Sequence, residues 1–125
     1  MARNWALNTV RIFVTDIQKA KQFYCETLGW VPRADGTDQG FLLFDVGSIA
    51  LVVETINPEN QEQRDLVGRF TGVSFTVEDM NSTYQALLSK GVEFVTRPQQ
   101  QPWGGVIASF LDCDRNGITL VSGVA

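Results

Sequence analysis

The segment TVRIFVTDI at Thr9–Ile17 returns in altered form as GVSFTVEDM at Gly72–Met80. Val10 corresponds to Val73, Ile12 to Phe75, Val14 to Val77, Asp16 to Asp79 and Ile17 to Met80. In the first copy Val10, Ile12 and Val14 alternate with Thr9, Arg11, Phe13 and Thr15, the period of a strand with one buried face. Thr15 or Asp16 then supplies the N-cap of a helix in which Ile17, Ala20, Phe23, Tyr24 and Leu28 follow helical spacing up to Gly29. The second copy leads into a matching helix, with Met80, Tyr84, Leu87 and Leu88 on its apolar side.

The repetition extends beyond these strands. Trp30–Arg33 reads as a second strand, GFLLFDVG (40–47) as a third and SIALVVET (48–55) as a fourth. In the second half, VEFVTRP (92–98) and GVIASFLDCDRNGITLVS (105–122) give three strands, the last two around a turn rich in Asp, Asn and Gly. Ile49-Ala50-Leu51-Val52 matches Ile118-Thr119-Leu120-Val121. Two βαβββ modules follow, about Leu7–Glu54 and Phe70–Ser122, and Thr55–Arg69 joins them as a polar connector with Pro58 and no strand or strong helical period. Each module is too small to close a core alone. The expected fold is α+β, one domain over residues 1–125, with two curved four-stranded sheets packed together, helices outside and a cleft between the concave faces. On this reading Thr9, Arg11 and Phe13 of the first strand and Gly72, Ser74 and Thr76 of its echo look into the cleft.

The chain contains no histidine. Imidazole is the commonest metal ligand and the commonest general acid or base near neutral pH. Its absence excludes Ser-His-Asp hydrolysis, Cys-His thiol chemistry and histidine-ligated zinc or iron. Two cysteines, Cys25 and Cys113, make neither a disulfide framework nor a thiolate zinc site, and both are expected as free structural thiols. A net charge of −4 with no Lys/Arg cluster argues against nucleic acid. No apolar run reaches the roughly 20 residues of a membrane span, and the N-terminus lacks the features of a secretory signal, so a cytoplasmic protein is expected.

With its first strand followed by DIQKAKQFYCETLGW, its second strand–helix pair VEDMNSTYQALLSKGVEF and its ending PWGGVIASFLDCDRNGITLV, the chain resembles the vicinal oxygen chelate superfamily. This is the fold of glyoxalases, bleomycin-resistance proteins and extradiol dioxygenases. The closing turn departs from the family's Asp-Pro-Asp-Gly-Asn form, since Cys113 stands where Pro is usual and Arg115-Asn116-Gly117 follows Asp114. The resemblance implies divalent-metal ligands, His or Glu, at Thr9, Ala50, Gly72 and Thr119, with Leu51 in place of Ala50 if the fourth strand is read one residue later. None of these is such a ligand, so no metal and no other cofactor is expected, and metal-dependent glyoxalase or dioxygenase activity is not. An oxygen-rich calcium-like site from Asp112, Asp114 and Asn116 is a minor alternative, against the simpler reading that turn aspartates bond their own backbone.

What the resemblance leaves is a metal-free cleft of the kind found in drug-binding resistance proteins, in members that commonly form homodimers. The ligand-binding residues expected here are Arg11, Phe13, Val52, Glu54, Ser74, Thr76 and Trp103. Phe13 and Trp103 suit stacking on a planar aromatic or cationic ligand, with Arg11 and Glu54 orienting its polar groups. The plainer readings are that Phe13 fills the core, that Arg11 and Glu54 pair with each other, and that Trp103 packs its own loop. Trp5 falls outside the repeat and is expected as a subunit contact or lid. Two other functions stay open: a metal-independent lyase or isomerase with Glu54 or Glu78 as base, and an accessory module whose cleft is filled by its own side chains.

Overall fold

The structure is a computed structural model that describes residues 4–123. Strands β1 (Thr9–Val14), β2 (Ala34–Gly36), β3 (Phe41–Val46) and β4 (Ile49–Thr55) form one sheet in the order β1-β4-β3-β2. Strands β5 (Phe70–Thr76), β6 (Phe94–Gln100), β7 (Val106–Leu111) and β8 (Gly117–Ser122) form the other in the order β5-β8-β7-β6. The repeat read in the sequence is therefore a repeat of topology: β1 pairs parallel with β4 as β5 does with β8, and the remaining neighbours are antiparallel.

The repeated aspartates cap the helices. Asp16 accepts from the amides of Gln18 (2.9 Å) and Lys19 (3.3 Å), and Asp79 accepts from that of Ser82 at 3.0 Å. Helix α1 (Ile17–Lys21) continues as six residues of wider π-helix, Gln22–Thr27, in which the Leu28 amide reaches back to the Phe23 carbonyl at 2.9 Å. Gly29, at φ +79°, ends it, and Trp30 donates its amide to Tyr24.

Two local expectations are corrected. Trp30–Arg33 is not a strand; β2 is the later and shorter Ala34–Gly36, because the Trp30 amide is still occupied by the helix end and the ring packs against Tyr24, Phe44 and Phe75. The connector holds a short helix, α2 (Gln61–Arg64), capped by the Asn60 side chain on Gln63 N. The second module's helix is α3 (Met80–Ser89).

The layering is the expected α+β arrangement of two four-stranded mixed sheets with a few helices, and one helix reaches across both. Ile17, Ala20, Phe23, Tyr24 and Leu28 make an apolar stripe wider than one sheet covers, and α1 with its continuation touches both modules. Phe23 lies 6.3 Å, ring to ring, from Phe110 of β7, Tyr24 lies 6.2 Å from Phe44 of β3, and Trp30 lies 5.1 Å from Phe75 of β5. One core results, joining Ile12, Val14, Leu42, Phe44, Leu51 and Val53 of the first sheet to Ala108, Phe110, Ile118 and Leu120 of the second. Burying such side chains is the main stabilising contribution, roughly 1.5–3 kcal/mol for each large one. Since the helix-facing sides of both sheets share this core, their other faces point outward.

The turn Asp112–Asn116 locks the modules together. Buried Asp112 accepts from the Tyr24 hydroxyl (2.7 Å), the amides of Asp114 (2.8 Å) and Asn116 (2.9 Å), and Asn116 Nδ2 (3.0 Å). Asn116 also donates to the Phe13 carbonyl (2.9 Å) and accepts from the Gly68 amide (2.9 Å), while Asp114 accepts from the Thr15 amide and hydroxyl, both at 2.8 Å. Burial and the Asp112 carboxylate hold the Tyr24 hydroxyl well above its ordinary titration range, so it stays a donor.

At the surface, Lys21 of α1 bonds Asp35 of β2 at 2.7 Å, which together with Thr37 lowers the Asp35 carboxyl to about 2. A depressed carboxylate contributes stability that is present above its unfolded value, 3.8, and is lost as the pH falls through about 2. Lys21→Ala is expected to move the Asp35 midpoint upward part of the way to the ordinary range, with Thr37 still holding it down, read from its carboxyl resonance in an NMR titration. An unmoved midpoint would show that Lys21 is not its main partner.

Candidate binding faces

On the outward face of the first sheet, β1 and β4 place Thr9 beside Ala50, Arg11 beside Val52 and Phe13 beside Glu54. This settles the register: Ala50 shares the face of Thr9, whereas Leu51 is buried in the core. Arg11 grips Glu54 as a fork, Nε to Oε2 at 2.8 Å and Nη2 to Oε1 at 2.7 Å, and its guanidinium carbon sits 5.0 Å from the Phe13 ring centre. The Glu54 hydrogen bond and charge raise the Arg11 pKa further, so it remains a cation. The pair is solvent-exposed, with the Arg11 and Glu54 side chains 57% and 24% accessible, and contributes no more than about 1 kcal/mol to stability. Both Glu54 oxygens are engaged by Arg11.

Ser74 and Thr76 are exposed on the outward face of the second sheet, level with Thr119 and Val121 of β8. Trp103 lies in the loop between β6 and β7, 55% exposed, its ring directly over Gly105. The seven expected residues thus divide between two outward faces and a loop, with Thr76 also reaching the inter-module cavity, and neither cavity described below joins Arg11, Phe13, Val52 and Glu54 to Ser74, Thr76 and Trp103. Glu78 is exposed just beyond β5, and Trp5 is 84% exposed in the extended segment before β1.

Two cavities stand out among the described residues. One, about 390 Å³, opens between the modules on the helix side and is lined by Trp30, Phe44, Phe75, Thr83, Leu87 and Phe110 among others. The other, about 430 Å³, lies on the outward face of the second sheet, with Arg69, Phe70, Thr96, Ser109, Leu111 and Arg115 in its walls. Sequence reasoning missed Arg69 and Arg115, which belong to the connector's end and the β7–β8 turn and carry no strand period. The available signal was the turn composition DCDRNG, in which Arg115 takes φ +65°, a left-handed position unusual for a side-chain-bearing residue.

The four positions equivalent to family metal ligands do not fit a divalent cation. Thr9 donates its hydroxyl to Asn8, Ala50 has no donor atom, and the Thr119 hydroxyl lies 3.3 Å from that of Ser109. Gly72 sits at φ +78° in a bulge between Phe70 and Ser74, a conformation that a ligating side chain would strain. Among the described residues no group of three or more His, Cys, Asp or Glu is arranged to hold a metal. The turn carboxylates of Asp112 and Asp114 are occupied by the hydrogen bonds that lock the modules, which answers the calcium-like alternative.

Cys113 is an exposed residue, yet local desolvation of its thiol and the adjacent Asp112 and Asp114 carboxylates push it up to about 12. A raised thiol favours the folded state equally at all pH below its unfolded value, 9.0, and the folded state loses stability above it. Iodoacetamide is expected to alkylate Cys113 at pH 8 at least ten-fold more slowly in the native protein than in urea, by mass spectrometry. Equal rates would contradict this environment.

The profile of the Glyoxalase/Bleomycin resistance protein/Dioxygenase superfamily matches residues 6–120. A "Probable lactoylglutathione lyase" of Synechocystis sp. is 30% identical over 107 residues, 81% of this chain and 82% of that protein. The crystal structure of UcmS2 superposes with a TM-score of 0.79 at 30% identity, over 95% of this chain and 98% of that one. TnmS3, an antibiotic binding protein from Streptomyces sp. CB03234, does so with a TM-score of 0.78 at 26% identity, over 99% of this chain and 100% of that one. No helix among the described residues is long and apolar enough to cross a membrane. Duplicated modules, paired parallel edges and a family profile spanning almost the whole chain place it in the Glyoxalase/Bleomycin resistance protein/Dioxygenase superfamily.

Proposed function

We propose that the chain is a metal-independent, cytoplasmic small-molecule binding protein that works as a homodimer, holding a planar aromatic ligand of antibiotic type without altering it. The observation that carries this reading is the outward direction of the second face of each sheet. Each presents aromatic and hydroxyl or charged groups to solvent, and neither closes a cleft within its own chain. Two copies related by a two-fold axis bring the first-sheet face of one against the second-sheet face of the other, twice over. Arg11, Phe13, Val52 and Glu54 then face Ser74, Thr76 and Trp103 of the second copy. The similarity to an antibiotic binding protein supports the ligand class.

Titration with bleomycin and planar aromatic antibiotics, followed by tryptophan fluorescence, tests the proposal. Quenching with a Kd at or below about 10 µM is expected, weakened about ten-fold by Trp103→Ala, a loss of about 1.4 kcal/mol. Absence of binding below millimolar across the series would sink it. Turnover of a ligand that survives chelator and vanishes in Glu54→Gln would replace it with the enzymatic reading.

A further inference from the structure

We infer that the cavity on the outward face of the second sheet is selective for an anionic aromatic ligand, one carrying a carboxylate or a comparable acidic group, with Arg69 and Arg115 as its charge-reading residues. The inference rests on the binding reading above and names the ligand's charge class.

The protein as a whole is acidic, with a net charge of −4, and on that basis alone a cation would be favoured. The walls of this cavity run the other way. Arg69 and Arg115 both line it, and no acidic side chain does. The nearest carboxylates in sequence are committed elsewhere: Asp112 to Tyr24 and Asn116, Asp114 to Thr15, and Asp65 to Gln61. Arg115 makes one long contact with Glu93, 3.3 Å between largely exposed side chains, worth little in water. Arg69 makes no salt bridge among the described residues. Guanidinium groups so placed favour a carboxylate, which they can bind in fork geometry.

The remaining walls set the rest of the ligand. Phe70, 71% exposed, offers a ring for stacking, and Val95 and Leu111 add apolar surface. Thr96 and Ser109 provide hydroxyls. A volume of about 430 Å³ suits a molecule of one to three rings and falls in the range of small-molecule sites. The opposite face carries Arg11 already neutralised by Glu54, so the anion's charge is read on the second sheet.

The test compares two probes of one skeleton, the sulfonate 8-anilino-1-naphthalenesulfonate and the uncharged N-phenyl-1-naphthylamine, by fluorescence titration of the full chain. The sulfonate is expected to bind at least ten-fold more tightly, to weaken as salt is raised, and to shift the amide resonances of Thr96, Ser109 and Gly117 in the wild-type protein. Arg69→Gln with Arg115→Gln is expected to weaken the sulfonate at least ten-fold and leave the uncharged probe within two-fold. Equal affinity for the two probes, or amide shifts confined to Trp30, Phe44 and Phe75 at the other cavity, overturns the charge selectivity and leaves the binding function standing. Failure of both probes to bind overturns the charge selectivity and the binding reading together. The wild-type resonance shifts decide the matter even if the double variant does not fold.

Discussion

Asn116→Ala is expected to lower the unfolding free energy by about 3–5 kcal/mol, among the larger effects of a single substitution. Asn116 is fully buried and is polar on every side. Its amide group donates to the Phe13 carbonyl in one module and to Asp112 in the other, and its oxygen accepts the Gly68 amide at the end of the connector. Alanine removes these together and leaves the partly buried Phe13 carbonyl and the Gly68 amide each short of a partner, while the buried Asp112 oxygen keeps only the Tyr24 hydroxyl. Each such orphan costs about 1–3 kcal/mol, and a small cavity adds to it. Urea unfolding monitored by circular dichroism should show a lower midpoint at a similar slope, against an exposed control such as Asn81→Ala that stays within about 0.5 kcal/mol. A loss below about 1 kcal/mol would mean that the Asp112–Asn116 turn does not hold the modules together.

The second large effect is expected at Gly105→Ala, a destabilisation of about 2–3 kcal/mol. A Cβ built there would lie 1.8 Å from the Trp103 ring and 2.7 Å from the backbone oxygen of Ser122. The exposed ring can swing away, but the Ser122 oxygen belongs to β8 and moves only with its strand. The variant should therefore lose stability and also change the emission of Trp103, which no longer lies on the loop it covers. Emission unchanged from the wild type would place the ring elsewhere. Reorienting Trp103 should weaken ligand binding too, since the proposed cleft uses its face.

The positions of these two residues explain how much could be read without coordinates. Strand and helix identity came from local period, because Val10, Ile12 and Val14 alternate for one reason only, burial on one side of a sheet. The repeated Asp16 and Asp79 reported helix starts, since a capping carboxylate needs nothing beyond the next turn. Trp30 broke the pattern: its ring serves three aromatic neighbours from two modules, a tertiary demand that overrides its strand propensity. The same holds for the direction of the faces. Alternation places Arg11 and Phe13 opposite Ile12 but cannot say whether that side is covered by the rest of the chain. In the structure the apolar helix surface of Phe23 and Tyr24 packs on the Ile12 side, which leaves Arg11 and Phe13 facing outward. The Arg11–Glu54 pair was legible as a possibility and is seen as a fork. Arg69 and Arg115 were not legible, for they reach their cavity from a connector and a turn whose paths no periodicity specifies.

In the proposed dimer the two outward faces meet and enclose the ligand site. Isotope-filtered NOE spectroscopy on a one-to-one mixture of labelled and unlabelled chains tests this most directly. Cross-peaks between chains are predicted from the methyls of Val52 on the first sheet to those of Thr76, Thr119 and Val121 on the second. A chain that sediments as a monomer at millimolar concentration, or a dimer whose only inter-chain cross-peaks lie on the helices, would contradict it.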